Sequence, residues 1–498
     1  MDRMTSDLIK IYRRQAVTPV IVEAREGYYF SLRDRLRSIV PVELLEAKFH
    51  TFTPRIMPLI EFPFSKWKEI KMFNMIATVL TPELIEEVAQ WREVERMYPD
   101  YMVWAISTPR FPASHRFFFQ EEEAPPEEMA PPEEAPEEAP PEEIVPPEEV
   151  IPVEEVTPAP PPPSPPIRVP PQGIFRDIEC RPFTSTFWTK RMMGLDRANL
   201  KGFTGKGVIV AVIDTGARLT HEQLRGRVKI LTAAPEKGMS GTDTNGHGSY
   251  CASVIGGRYA IDRRYKVPVE GMATDCTLIS IQAMGFIIGI GCTSDLLKAM
   301  EMSIGLGAKV VSMSLGSGIA VREEENPQAK AINKMVEAGI IPVCAAGNEG
   351  PEPGTVTSPG CCLNSLTVGA WNELEGKIAD FSGRGPTVDG YIKPDVVAPG
   401  VRINSALVGL LDGLTDPTQL HYGPLTGSSM SVPHVAGLVA CMVQLYRDRV
   451  GLELTVDEIK RMMSEIGPNQ PKDNNVGWGL ISWDLVEYWC ESEYGIKI

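Results

Sequence analysis

The sequence predicts an α/β body, a mainly parallel sheet flanked by helices, preceded by a small α+β unit. Three observations lead there. Beyond residue 200, short and nearly continuous apolar runs alternate with segments of helical spacing, as expected of parallel strands buried on both faces and joined by helical crossovers. Residues 17–106 mix strand-like and helical stretches in a different order. Between the two stands a block of glutamate and proline that cannot bury a core. The expected divisions are 1–112 for the front unit, 113–170 for the Pro/Glu segment and 171–498 for the body.

In the front unit, TPVIVEA (Thr18–Ala24) has strand character and YFSLRDRLRSIV (Tyr29–Val40) has apolar residues at helical spacing. FNMIATVL, ending at Leu80, reads as a strand. In TPELIEEVAQWREV, Thr81 is placed to cap a helix, Pro82 to fill its first position and the glutamates to meet the positive end of its dipole. Leu84, Val88, Trp91 and Val94 or Glu95 carry the helical rhythm onward, and YMVWAI (Tyr101–Ile106) is expected to be a further strand. Strand, helix, strands, helix, strand is a ferredoxin-like layout.

The segment from Glu121 to Pro166 repeats a PPEE-like unit. Proline removes backbone donors and the glutamates repel one another, so extended polyproline II is expected, with a contour approaching roughly 140 Å at ~3.1 Å per residue. It reads as a stiff, solvated spacer, with a docking strip for a basic or proline-binding partner as the sharper alternative. This segment also explains the formal charge of -16: fifteen glutamates lie between Glu121 and Glu155, and no Lys or Arg stands between Arg116 and Arg168. The remainder is close to neutral, which argues against a nucleic-acid-binding body without making its surface acidic.

No run of about 18 apolar residues occurs, so no membrane span is expected. The N-terminal residues lack an apolar h-region and a small-residue cleavage site, which speaks against standard export from this start. The nine cysteines include the adjacent pair Cys361 and Cys362 and no CxxC; they read as buried thiols more readily than as a disulfide framework.

In the body, GVIVAVIDTG, CTLISIQAM, AKVVSMSLG, GIIPVCAAGN and SLTVGA are the expected strands, with SDLLKAMEMSIGLG and QAKAINKMVEAG among the helices. Functional groups in such sheets gather at the C-terminal strand ends. Asp214 stands at one, although Asp-Thr-Gly alone also serves as a turn. His247 lies between glycines in DTNGHGSYCASVIGG, ahead of a small-residue helix; nearby Asp243 reads as a support of local structure. Ser428, Ser429 and Ser431 open the helix MSVPHVAGLVACMVQLY, where free amides and the helix dipole favour a developing negative charge. Pro433, near the start of that helix, is expected to cost little there.

VAVIDTG, NGHGSYCAS and GSSMSVPHVAG, in the chain order Asp, His, Ser, resemble the three signatures of the subtilisin-like serine proteases (subtilases, peptidase family S8). VSMSLGS, CAAGNEG, SPG…LTVGA, FSGRGP and KPDVVAPG fall in the same family's order, so that the resemblance runs from roughly Phe203 to Tyr446. It implies a subtilisin-like fold and an Asp-His-Ser triad: Ser429 as nucleophile, His247 as general base and then acid, Asp214 as the group that orients and stabilises the imidazolium. Asn348 matches the side chain that, with the Ser429 N–H, faces the oxyanion. Ser428, Ser431, His434 and His221 match structural positions. Ser314, Leu315 and Gly316 match the edge that pairs with an extended substrate, and MGFIIGIG lies where relatives supply the opposing strand. Thr357 stands where glycine is common on the pocket floor and should narrow the pocket towards small or medium apolar side chains.

The front unit resembles the inhibitor-I9-like propeptide of these enzymes. That implies an intramolecular inhibitor and folding chaperone, although a long acidic spacer here replaces the usual short join; either cleavage falls near WAISTPRF or the tethered domain stays attached as a separate module. No cofactor is required for the chemistry and no metal ligands are assigned. Calcium is common among relatives, but VIGGRYAIDRRYKVPVEG lacks an oxygen-rich loop. The implied function is a self-processing serine endopeptidase acting on extended protein or peptide substrates. The alternative is a catalytically silent binding module on the same fold. An esterase on another α/β fold would need a G-x-S-x-G elbow and serine before histidine, the reverse of the order here. The missing export signal points to the cytoplasm, and a zymogen layout to secretion.

Overall fold

The computed structural model describes residues 18–40, 67–100, 102–105, 183–285, 289–317, 321–409, 411–412 and 422–498. The Pro/Glu segment lies outside the described residues. In the front unit, β1 (Thr18–Ala24), β2 (Trp67–Ile70), β3 (Met75–Leu80) and β4 (Val94–Pro99) form an antiparallel sheet in the order β2-β3-β1-β4, accompanied by helices Tyr29–Ile39 and Pro82–Val88. This is the expected ferredoxin-like layout. Thr81 caps the second helix as anticipated, its hydroxyl accepting from Leu84 N at 3.3 Å. That helix stops at Val88, however, and Val94 opens β4. Trp91 and Val94 are apolar because they fill the same core as Val88, not because the helix continues.

The near-continuous apolar run of β1 has two destinations. Val20 and Val22 pack with Leu32, Leu36, Ile85 and Val88 from the unit's own helices. Ile21, pointing the other way as strand alternation requires, joins Ile70, Met75, Ala77 and Tyr98 in a core shared with Leu296, Met300 and Ala329 of the body. Polar contacts rim this junction: Met72 N donates to Glu301 Oε1 at 2.8 Å, and Lys330 Nζ pairs with Glu23 at 2.6 Å. Asp100 caps the body helix Thr293–Gly305 by accepting from Ser294 N (2.8 Å) and Ser294 Oγ (2.6 Å). Buried Lys68 bonds to fully buried Asp295, which also pairs with Lys237.

The expected strand near Ile106 leaves the front sheet. β5 (Met102–Ala105) pairs instead with two strands of the body, as described below. In the body, β6 (Thr184–Ser185) is short, β7 spans Ile209–Asp214 and β8 Val228–Thr232, and β9 (Ala260–Asp262) and β10 (Val267–Val269) form a hairpin. β11 (Thr277–Gln282), β12 (Ile290–Cys292), β13 (Val310–Met313), β14 (Leu315–Gly316), β15 (Ile341–Ala345), β16 (Leu366–Asn372), β17 (Lys377–Ile378) and β18 (Val396–Pro399) follow. The main sheet runs β17-β16-β15-β13-β7-β11-β8, with β18 on β16, and every pair but β16–β17 is parallel. The predicted α/β class is therefore borne out.

Helix Ser428–Leu445 runs through the core of the body. Within Ser428–Val450 the helix is apolar and long enough to cross a membrane by composition, but 94% of that window is buried inside the protein, as in a core helix. Pro433 is an interior residue of it, not part of the first turn. Its missing N–H releases the carbonyl of Ser429, four residues earlier. Among the described residues the cysteines are all unpaired, and only Cys361 is not fully buried.

Candidate active site

β7 ends on Asp214, whose buried carboxylate accepts from Thr215 N at 2.7 Å. The helix His247–Gly256 must then approach that strand end closely. Gly246 sits at φ +116°, and a Cβ there would lie 2.0 Å from Val408 O; a Cβ on Gly248 would lie 2.2 Å from Gly216 O. Glycine on both sides of His247 is what lets the ring reach its partner. Asp243 gathers the corner. Its carboxylate accepts from Thr215 Oγ1, Asn245 N, Gly246 N, Ser249 N and Ser249 Oγ, all within 2.7–3.0 Å, and Thr215 Oγ1 accepts from Gly248 N at 2.8 Å.

His247 Nδ1 lies 2.8 Å from Asp214 Oδ1 and 3.0 Å from Oδ2, with both side chains fully buried. The carboxylate can only accept, so in the neutral ring Nδ1 carries the proton and Nε2 keeps the lone pair. Nε2 has no hydrogen-bond partner within the protein. Burial opposes the charged ring, but the adjoining Asp214 carboxylate outweighs it and holds the imidazole pKa well above its ordinary range.

The three serines have three fates. Ser431 Oγ donates to Ala398 O at 2.8 Å, and Ser428 Oγ accepts from Gly347 N at 3.3 Å. Ser429 Oγ, fully buried, donates to Ser314 O at 3.0 Å, while Ser314 Oγ donates back to Ser429 O at 2.9 Å. The second bond satisfies the carbonyl that Pro433 leaves free. The hydroxyl therefore rests on Ser314 and not on His247. Cys251, one helical turn beyond His247, stands between the two halves: its sulfur is 3.8 Å from His247 Nδ1 and 3.8 Å from Ser429 O. Sequence reasoning passed over it, although the i, i+4 spacing on the helix was the available signal.

Asn348 is locked by its carbonyl oxygen, which accepts from Ser428 N at 2.9 Å, so the NH₂ end of the amide remains to donate. Thr357 is buried beside Gly347, where a Cβ would meet its Oγ1 and Cγ2 at 2.9 Å; its hydroxyl has no hydrogen-bond partner within the protein. His434 and His221 are structural. Nδ1 of His434 is 2.7 Å from Met430 O and Nε2 is 2.7 Å from Thr189 Oγ1, and burial drives its pKa down to about 4. Buried His221 accepts from Gln223 N at 3.3 Å and stacks edge-on against Tyr422.

β14 and β12 hold an extended segment between them. Leu315 pairs with Ala105 and Gly316 with Trp104; on the other side Ile290, Gly291 and Cys292 pair with Trp104, Val103 and Met102, all antiparallel. The edge formed by Ser314, Leu315 and Gly316 thus takes a main-chain partner from this same chain. Among the described residues, Asp214, His247 and Cys251 are a trio whose ligand atoms could reach one ion. Because the carboxylate and ring already hydrogen-bond each other, an ion there would displace that bond and oppose proton transfer.

Residues 205–479 match the model of the subtilase family, Peptidase S8. The chain belongs to the subtilase family. Serine protease AprX of Bacillus subtilis (strain 168) is 34% identical over 298 residues, 56% of this chain and 64% of the relative. A thermophilic serine proteinase of Bacillus sp. (strain AK1) is 30% identical over 267 residues, 54% and 59% of the two chains. Subtilisin Savinase of Lederbergia lenta is 32% identical over 252 residues, 50% of this chain and 80% of the relative. The matched part of this subtilase thus spans less than two thirds of the first two relatives and most of the third.

Proposed function

We propose that this subtilase is a serine endopeptidase that holds its own front domain as an intramolecular inhibitor. The observation that carries this reading is the register of β5: an extended strand lies on β14, one residue short of Ser314, whose carbonyl holds the Ser429 hydroxyl. A peptide laid along the same edge brings a main-chain carbonyl to Ser429 whatever its sequence, which suits an endopeptidase.

In the reaction, the Ser429 hydroxyl leaves Ser314 for His247 Nε2, which takes its proton as Oγ attacks the carbonyl. The oxyanion forms against the Asn348 amide and the Ser429 N–H, in the first turn of its helix, where amides lack an intrahelical partner. The imidazolium, stabilised by Asp214, protonates the departing amine, and water then hydrolyses the acyl-enzyme by the same steps in reverse. None of this requires a cofactor. Asn348→Ala should lower kcat by about 10²–10³ with KM little changed, the loss known for the equivalent donor in subtilisin, a member of this family; steady-state kinetics on a peptide substrate read it directly. Thr357 supports a preference for small or medium apolar side chains before the cleaved bond. The silent-module alternative is disfavoured by the intact Asp214–His247 pair and the unoccupied Nε2.

Cleavage is expected within the WAISTPRF stretch, of which the residues after Ala105 lie outside the described residues. The test is intact mass of the purified chain after incubation, with and without a serine-directed fluorophosphonate. A single adduct together with a cut within WAISTPRF supports the reading. A folded chain that takes no adduct would shift it to the binding module.

Docking of the front domain should depend on pH through Asp100. Burial raises its pKa to about 6, while Lys237 and the Ser294 hydrogen bonds pull the other way and the charge of Asp295 adds to the rise. The docked state therefore binds a proton more readily than the free one, whose carboxyl titrates near 3.9. Docking accordingly tightens as pH falls through about 6 and weakens above it. Affinity of the separately added front domain for the body, measured across this range, should show the slope in the wild type and lose most of it in Asp100→Asn.

A further inference from the structure

The adjacent cysteines take no part in the chemistry above. They follow Thr357-Ser358-Pro359-Gly360 in a turn fixed by Cys361 N donating to Thr357 O (3.0 Å) and Cys362 N to Pro359 O (3.1 Å). Both sulfurs converge on one amide: Asn326 Nδ2 lies 3.9 Å from Cys361 Sγ and 3.8 Å from Cys362 Sγ. Interaction with the Cys362 thiol holds the Cys361 thiol below its usual range against the effect of burial, and Cys362 is pushed up by the same interaction and by burial. Cys361 is partly open to solvent, whereas the other described cysteines are buried.

The same amide reaches towards the substrate edge. Asn326 Nδ2 donates to Ser358 Oγ at 2.8 Å, and Ser358 Oγ donates to Gln328 Oε1 at 2.8 Å. Ser358 O accepts from Ser317 N at 2.9 Å, and Ser317 directly follows Gly316 of β14. Asn326 therefore clamps the cysteine turn and the strand that receives peptide main chain.

We propose that Cys361 and Cys362 form a vicinal dithiol site for a trivalent, thiophilic arsenical, and that its occupation loosens the substrate edge through Asn326 and Ser358. Soft thiolates favour such centres over harder ions. With an arsenoxide the step is a condensation: two As–S bonds form, the As–O link breaks, and the oxygen leaves as water with both thiol protons. Arsenic stays trivalent and nothing is oxidised. Bonding to one arsenic centre fixes the positions of the two sulfurs, and the inserted atom takes up space against the Asn326 amide that both now face. Cys251 has no adjacent cysteine in the sequence to complete such a chelate.

Phenylarsine oxide is the probe, applied to the reduced full chain and followed by intact mass. The wild type should gain one reagent less one water, removable by 2,3-dimercaptopropanol but not by a monothiol. Cys361→Ser and Cys362→Ser should each abolish this adduct, with Cys361→Ala and Cys362→Ala as second variants should the serines melt early; Cys441→Ser should keep it. In a peptide-cleavage assay the adduct should raise KM on the order of threefold to tenfold, the worth of about one hydrogen bond, with kcat less affected. That kinetic readout rests on the peptidase reading, whereas the mass readout does not, so a labelled chain that never cleaves peptide counts against the peptidase alone. Retention of the adduct in both serine variants, or its absence from reduced wild type, overturns the site. An adduct that leaves KM unchanged overturns the coupling.

Discussion

Ser429→Ala should leave a folded chain that neither cleaves peptides nor loses its front segment. Loss of the nucleophile in subtilisin, a member of this family, lowers kcat by about 10⁶, and a drop of that order is expected here. The fold should survive because the side chain's hydrogen bond is to Ser314 O, and removing it forfeits about 1 kcal/mol. The neighbouring serines supply the controls. Ser428→Ala removes a bond to Gly347 N and Ser431→Ala one to Ala398 O, so both should reduce stability by a similar amount while keeping the fluorophosphonate adduct. Intact mass of the three variants, alongside their melting temperatures, separates the roles. Processing that persists in Ser429→Ala would assign the cut to a contaminating protease or to another nucleophile.

Asp214→Asn should lower kcat/KM by about 10⁴, with its cause visible in the pH profile. In the wild type the carboxylate fixes the proton on Nδ1 and leaves Nε2 to accept. An amide in its place can donate to Nδ1, which shifts the proton to Nε2 and removes the base. The same carboxylate raises the pKa of the ring, and only neutral imidazole can take the Ser429 proton. Wild-type kcat/KM should therefore climb with pH into the alkaline range. The residual activity of Asp214→Asn should instead level off at lower pH, because the raising charge is gone while burial, which lowers the pKa, remains. An identical limb in both proteins would remove Asp214 from its place beside the base.

Much of this site was legible because its chemistry depends on short local patterns. A carboxylate at a strand's end, histidine between glycines and serine at the head of an apolar helix are each readable within a few residues, and Asp243 was correctly read as a local support. Other features depended on contacts between distant segments. The apolar rhythm through Trp91 and Val94 looked helical, yet those residues fill the front-unit core after the helix has ended. YMVWAI reads as a strand, but its pairing partners lie in the body, beyond the Pro/Glu segment. Pro433 reads as a proline near a helix start; placed inside the helix, it frees a carbonyl that Ser314 Oγ, from a distant segment, satisfies.

The sequence by itself determined the α/β class, the ferredoxin-like front unit and the residue types that carry the proposed reaction. Those properties follow from backbone propensity, burial pattern and side-chain chemistry, which are local. Only the tertiary structure decided where Ser429 rests, which nitrogen of His247 stays free, that Asp100 and Lys68 hold the front domain on the body, and that two adjacent thiols share one amide with the substrate edge. Each of these is a hydrogen bond or ion pair between segments far apart in the chain, and such pairings exist only once packing has excluded water and left each buried polar group a limited choice of partner.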